Sequence, residues 1–231
     1  MLFSFVRSLF SGDSYSIGSA LLQIAAVAFV VVFTMPVHEA AHAWMASRLG
    51  DDTGRMHGRL TLNPRKHIDW LGALLLLLVG FGYAKPVPVN VRNFKKPQRD
   101  MALTAFAGPV SNLCMGLLCT FLYAVLLFLA VREQSDALNM TADFFYFAAS
   151  INVSLAVFNL LPIPPLDGSR LLTALLPQRI WYRIIQYEQY IRYGLLALLF
   201  FGVLTKPLMF LTGLVMDGYL FLAGLPFRAL G

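Results

Sequence analysis

The chain has 231 residues, of which 58% are hydrophobic and only 13% charged, with a mean hydropathy of +0.67. A water-soluble domain keeps roughly a quarter of its residues charged, and the apolar runs here reach membrane-spanning length, so the bilayer is the main solvent. That length excludes a second large soluble domain, and the net charge of +6 falls mainly in loops, as a topology signal rather than a nucleic-acid surface.

Residues 1–16 form an N-terminal segment. Arg7 resembles the basic start of a signal peptide, but polar Ser11–Ser16 and the long apolar run that follows argue for a retained membrane helix. The first long helix is expected from Ile17 to Ser47. The stretch from Arg48 to His67 is polar and basic, and its Gly, Asn-Pro and Asp punctuation predicts turns and short strands. Leu71–Gly82 is apolar but covers only ~18 Å as a helix, too little for a ~30 Å hydrocarbon core, and reads as a re-entrant piece. Ala84–Asn90 carries alternating prolines that force an extended chain.

A second span is expected over Met101–Val131, then an acidic loop over Arg132–Asp143, then a third span from Phe144 to Leu161 that breaks at Pro162, Pro164 and Pro165. Leu171–Tyr193 mixes aromatic and basic residues as an interfacial helix does. Gly194–Val215 is a further span, either kinked or divided at Lys206–Pro207. Cys114 and Cys119, five apart, face different sides of a helix and read as core residues rather than a disulfide or metal pair. The expectation is thus an all-α polytopic membrane protein, a bundle of four to six transmembrane helices with re-entrant or extended segments between them. Its core runs over 17–170 and its C-terminal interfacial and membrane helices over 171–231. The basic segments around 48–66, 85–99 and 170–192 belong in the cytoplasm and the 132–143 loop outside.

His38-Glu39-Ala40-Ala41-His42 places two imidazoles four apart on one helix, about 40° from each other around its axis, so both reach one metal. Glu39 points beside that metal, where it can take a proton from water. Two neutral imidazoles favour zinc, and a catalytic site needs one more protein ligand and an open position. Strongly polar groups inside a membrane helix are costly and mark function. His38 lies nine residues before Ser47, or ~13 Å below the interface that Ser47–Arg48 would mark.

The third ligand must return to that depth. Asp167 fits, because the helix preceding it starts at the outer loop and its prolines unwind the chain near the same side. Spacing alone leaves His67, Asp69 and Glu188 open as rivals. Asn112 reads as interhelical glue, and His57 and His67 as loop residues.

The combination of His38–His42 with Asn159-Leu-Leu-Pro-Ile-Pro-Pro-Leu-Asp167-Gly168 resembles the site-2 protease family of intramembrane zinc metalloproteases. Gly58–Asp69, Ala84–Asn90 and Ala107-Gly-Pro-Val-Ser-Asn112 add to the resemblance, which covers about 35–170 and matches the compact bacterial type without a PDZ domain. The resemblance implies one zinc per chain held by His38, His42 and Asp167, Glu39 as general base, and Asn159 on the substrate or oxyanion. It also implies substrate entry guided by the region around Lys85–Asn90, transmembrane proteins as substrates, and a bacterial cell membrane with the site towards the cytoplasm. A metal transporter would use the same histidine pair but gives Glu39 no task beside an open position.

Overall fold

The computed structural model describes residues 17–79 and 85–228, and the described residues are helical with no strand. The first membrane rod comprises α1 (Ile17–Phe29), a π-helical turn (Val30–Thr34) and α2 (Met35–Arg48). Short α3 (Thr53–Met56) and α4 (Pro64–His67) follow, then α5 (Trp70–Val79) and a 3₁₀ turn at Val91–Asn93. The long hairpin is α6 (Pro97–Glu133) and α7 (Asp136–Asn159). The chain closes with α8 (Asp167–Thr173), α9 (Gln178–Gln186), α10 (Glu188–Phe200) and α11 (Thr205–Arg228).

Among the described residues, four helices are long and apolar enough to span a bilayer: 18–48, 97–133, 136–159 and 205–227. Their packing places alanines, valines and a few larger apolar residues inside and leaves many large apolar side chains facing outward. The buried cluster draws Ala26, Val27 and Val30 from the first rod, Cys119 from α6, Ala148, Ala149, Ile151, Val153 and Val157 from α7, and Met216 from α11. At Gly116 the α6 backbone approaches α7 so closely that a Cβ would stand 2.9 Å from Val153 Cγ2. Phe33, Leu118, Phe121, Val131 and Phe210 point outward. Both cysteines are free, but only Cys119 is a core residue as expected; Cys114, five positions earlier on the same helix, is exposed, which corrects its reading as core.

The π-turn has a local cause. Pro36 cannot donate a backbone bond to Val32, and the helix is widened just before it: Met35 N–H donates to Val30 O, which also accepts from Thr34 Oγ1 at 3.0 Å. The rod therefore changes pitch one turn before His38.

Several sequence expectations are corrected here. The stretch after α2 forms turns and two short helices rather than strands, because Asn63 and Pro64 start a helical turn: Asn63 Oδ1 accepts from Arg65 N–H. The acidic loop at 132–143 shrinks to Gln134–Ser135. Gln134 (φ 51°) ends α6 in the left-handed conformation, and the Ser135 side chain accepts from Leu138 N–H to start α7. Asp143 is thus in the third span, which begins at Asp136 and ends at Asn159 instead of running from Phe144 to Leu161. The last span is 205–227 rather than Gly194–Val215: the chain divides at 201–204, where Gly202 takes φ +71°, and Pro207 falls in the first turn of α11, where its missing N–H costs nothing. The interfacial stretch 171–193 is three short helices. α5 is, as expected, too short to cross; residues 80–84 and the N-terminal segment 1–16 lie outside the described residues.

Candidate metal centre

The metal helix α2 packs against α6, and α6 against α8, so three elements meet around the two histidines. His38 and His42 are each 8% exposed, and their rings stand nearly perpendicular with centroids 4.6 Å apart. His42 Nδ1 lies 2.8 Å from Thr104 O. A carbonyl only accepts, so Nδ1 carries the proton and Nε2 keeps its lone pair for a ligand, the orientation that partnering of a metal-bound histidine usually secures.

The two Nε2 atoms lie 3.0 Å apart, and Asp167 Oδ2 lies 3.4 Å from the first and 3.3 Å from the second. Ligands of a tetrahedral zinc, each ~2.0–2.2 Å from the ion, stand about 3.3 Å from one another. The triangle therefore has the right edge length, and the three residues are the metal-capable cluster among the described residues. Space agrees with distance. At Gly108, on α6, a Cβ would sit 2.4 Å from His42 Nε2 and 2.6 Å from His38 Cε1; the absent side chain leaves room beside the ligand atoms that an ion can use. The donor set, the spacing and this cradle fit zinc.

Asp167 reaches the histidines because α7 ends early. After Asn159 the run Leu160–Leu166 contains three prolines, the Pro164–Pro165 bond being cis, and it turns through bonds such as Leu166 N–H to Ile163 O before α8 starts at Asp167. Gly168 lets this turn close: a Cβ there would meet Leu160 O at 2.2 Å and Leu161 O at 2.5 Å. The end of α7, with Asn159 half-buried as its last residue, is thereby held against the Asp167–Gly168 turn. Glu39 is half-buried next to His38.

The rivals for the third ligand have other tasks. His67 is buried with Nε2 donating to Thr61 O at 2.8 Å; Asp69 Oδ1 accepts from Leu71 and Gly72 N–H at the start of α5; Glu188 pairs with Arg170 and Arg192. His57 Nδ1 contacts Thr53 O in the exposed loop. Asn112 is buried on α6. Sequence reasoning gave no role to Gly108 or Thr104, because only the packing of α6 on α2 brings them to the histidines.

Of the piece expected to be extended at 84–90, residues 85–90 form no helix, Asn90 is extended (φ −104°, ψ 100°), and the piece is pinned at both ends. Lys85 N–H donates to His67 O at 2.9 Å, and Asn90 N–H to Asp51 Oδ2 at 2.8 Å. Between them Val87 packs on Gly54, which in turn faces Ala43, the residue after His42. Val87 and Val89 make no backbone–backbone hydrogen bond among the described residues.

Comparison with known proteins accords with this geometry. The sequence model of peptidase family M50 matches residues 24–202. Over 172 residues, 74% of this chain and 77% of the relative, the sequence is 44% identical to a protein of Bacillus subtilis named as a zinc metalloprotease, YwhC. It is 32% identical over 171 residues to the Mycolicibacterium smegmatis protein named as zinc metalloprotease Rip2, covering 65% of this chain and 62% of that one. The Rip2 of Mycobacterium tuberculosis is 31% identical, with 66% of this chain and 63% of the relative covered. The chain thus spans under two thirds of the Rip2 proteins. No solved structure matches. Most of the chain falling within the family match, and three residues arranged as a zinc site, make this protein a member of peptidase family M50, the site-2 protease type of zinc metalloprotease.

Proposed function

We propose that this enzyme hydrolyses peptide bonds in or near the transmembrane segments of membrane proteins, with its site in the cytoplasmic half of a bacterial cell membrane. The observation that carries the reading is the meeting of His38, His42 and Asp167 at 3.0–3.4 Å within a bundle of membrane-length helices. The basic loops at 48–66 and 85–99 lie at the end of the bundle that α2 and Asp167 share, which supports the cytoplasmic placement.

In this reading His38, His42 and Asp167 hold one zinc, which when bound supplies a water of pKa near ~7 and a pull on the scissile carbonyl. Glu39 is the general base: it takes a proton from the attacking water and delivers it to the departing amine, so that one water is consumed and a new carboxylate and amine are released. The Thr104 carbonyl fixes the His42 tautomer. The Asn159 amide, at the end of α7, donates to the developing oxyanion, a contact worth about 10²–10³ in rate.

A transmembrane substrate has its carbonyls bound within its own helix and must unwind before attack. The extended segment supplies an edge for the unwound strand. Pro86 and Pro88 alternate with Val87 and Val89, so the valine N–H and carbonyl groups point to one side and offer β-pairing there. Co-expressing wild-type and Glu39→Gln enzyme in bacteria, with mass spectrometry of membrane-protein fragments, tests the reading. Fragments found only with wild type, with zinc bound equally by both proteins, support it; identical fragment sets contradict it.

A further inference from the structure

The buried carboxylate of Asp51 serves none of the steps above, yet four donors converge on it. Asp51 Oδ1 accepts from Thr53 N–H at 3.1 Å, from the Thr53 hydroxyl and from Asn93 Nδ2 at 2.8 Å; Oδ2 accepts from Asn90 N–H at 2.8 Å. Among the described residues no cation contributes to this set. A fully buried carboxylate without a counter-charge is tolerated only when its lone pairs are all engaged.

Its position is equally constrained. Gly50, at φ +109°, ends α2, and Asp51 N–H donates back to Ala46 O at 2.9 Å while Gly50 N–H donates to Ser47 O. This is a Schellman cap, and it fixes the Asp51 backbone to the helix that carries His38 and His42. A Cβ at Gly50 would stand 3.3 Å from Asn93 O, so the capped end of α2 also rests on the Asn90–Asn93 turn. The linkage is continuous: metal helix, cap, carboxylate, Asn90, then Val89 and Val87.

We propose that Asp51 is a positioning residue that sets the register of the Pro86–Val89 edge against the metal helix, and so determines which substrate bond is presented for cleavage. This inference rests on the reading of that edge as the substrate's docking strand. A strand presents alternate residues to each side, so a segment freed at its Asn90 end shifts the paired strand along its length. Cleavage then spreads to neighbouring bonds while the metal stays bound.

The test uses the full-length enzyme in detergent and a labelled single-span peptide with a Gly-Ser break in its apolar run. Wild type, Asp51→Ala, Asn93→Ala and the exchanged pair Asp51→Asn/Asn93→Asp are compared for zinc content, kcat, KM and cut position by mass spectrometry. Asp51→Ala is expected to keep its zinc, to lose on the order of tenfold in kcat/KM, mostly through KM, and to cut at more than one bond. Asn93→Ala removes one donor of the four and gives a smaller change in the same direction. The exchanged pair restores part of the single-site cutting. One unchanged cut site with unchanged KM in both alanine variants overturns the proposal, as does loss of zinc in every variant, which marks a purely structural role. Failure of the functional reading shows separately, as wild type that does not cut or Glu39→Gln that does.

Discussion

Replacing Gly108 by alanine adds one methyl group to α6 and tests whether the ion's space is set by that helix. The new Cβ would lie 2.4 Å from His42 Nε2, 2.5 Å from His42 Cε1 and 2.6 Å from His38 Cε1, where ordinary contact begins at 3.4 Å. The rings must yield by about 1 Å, several times the ±0.2 Å that zinc–ligand distances tolerate. His42 cannot swing freely, being held by Thr104 O at 2.8 Å, and moving α6 instead disturbs its packing on α2, α7 and α8. Losing ligand placement of this kind costs about 10–100-fold in metal affinity. The assay is zinc retention by purified Gly108→Ala enzyme against a graded chelator, read by elemental mass spectrometry, with Gly213→Ala as control. Nothing lies within 4 Å of a Cβ at Gly213, and alanine there should be neutral or stabilise α11 by up to about 1 kcal/mol. Wild-type zinc affinity and cleavage in Gly108→Ala would refute the claim that the glycine shapes the site.

Chelator stripping should abolish cleavage and added zinc restore it, while alanine at His38, His42 or Asp167 should prevent restoration; elemental analysis and a cleavage assay check both. Asn159→Ala should retain zinc and lose about 10²–10³ in kcat, measured on the single-span peptide. Strengthening that peptide's helix with Ala and Leu around the cut should slow cleavage, and an unchanged rate would count against unwinding. The Asp51 clamp should respond to acid alone. Burial acts to raise its carboxyl, but bonds from the Thr53 hydroxyl, the Asn93 amide and the backbone N–H groups of Asn90 and Thr53 outweigh burial and hold it below the ordinary value of 3.8. A depressed folded pKa gives stability present above 3.8 and lost as pH falls through the lower folded value. Proteolysis near Asn90 should therefore be flat through neutral pH and rise only in strong acid, an increase that Asp51→Asn should not show.

The convergence of His38 and His42 was legible in the sequence because i, i+4 spacing on a helix is a local geometric statement, which the pair meets without reference to any other segment. The non-helical 85–90 piece was legible for the same reason, since Pro86 and Pro88 dictate their own backbone. Asp167 needed more: the proline break after Asn159 and the resemblance favoured it, but spacing left His67, Asp69 and Glu188 open, and the closure at Gly168 that brings it to the histidines was not readable from the sequence. Gly108 lay within the Ala107–Asn112 run singled out by resemblance but without a role, and Thr104 carried no signal, because the place of both beside the histidines depends on how closely α6 approaches α2. Boundaries failed where one residue changed the backbone path. Gln134 in a left-handed turn shortened the expected loop, and of the two readings at Lys206–Pro207, a kink or a division, the division holds, placed a few residues earlier at the turn containing Gly202. Asp51 was hidden in a basic loop, its partners Asn90 and Asn93 lying about 40 positions on.

X-ray absorption at the zinc edge on the purified protein probes the central claim most directly. The expected spectrum shows one zinc per chain with two imidazole nitrogens and oxygen ligands at ~2.0–2.2 Å, unchanged in Glu39→Gln and altered in Asp167→Ala. A zinc signal indifferent to loss of His38, His42 and Asp167, or a sulfur-dominated shell, would contradict it.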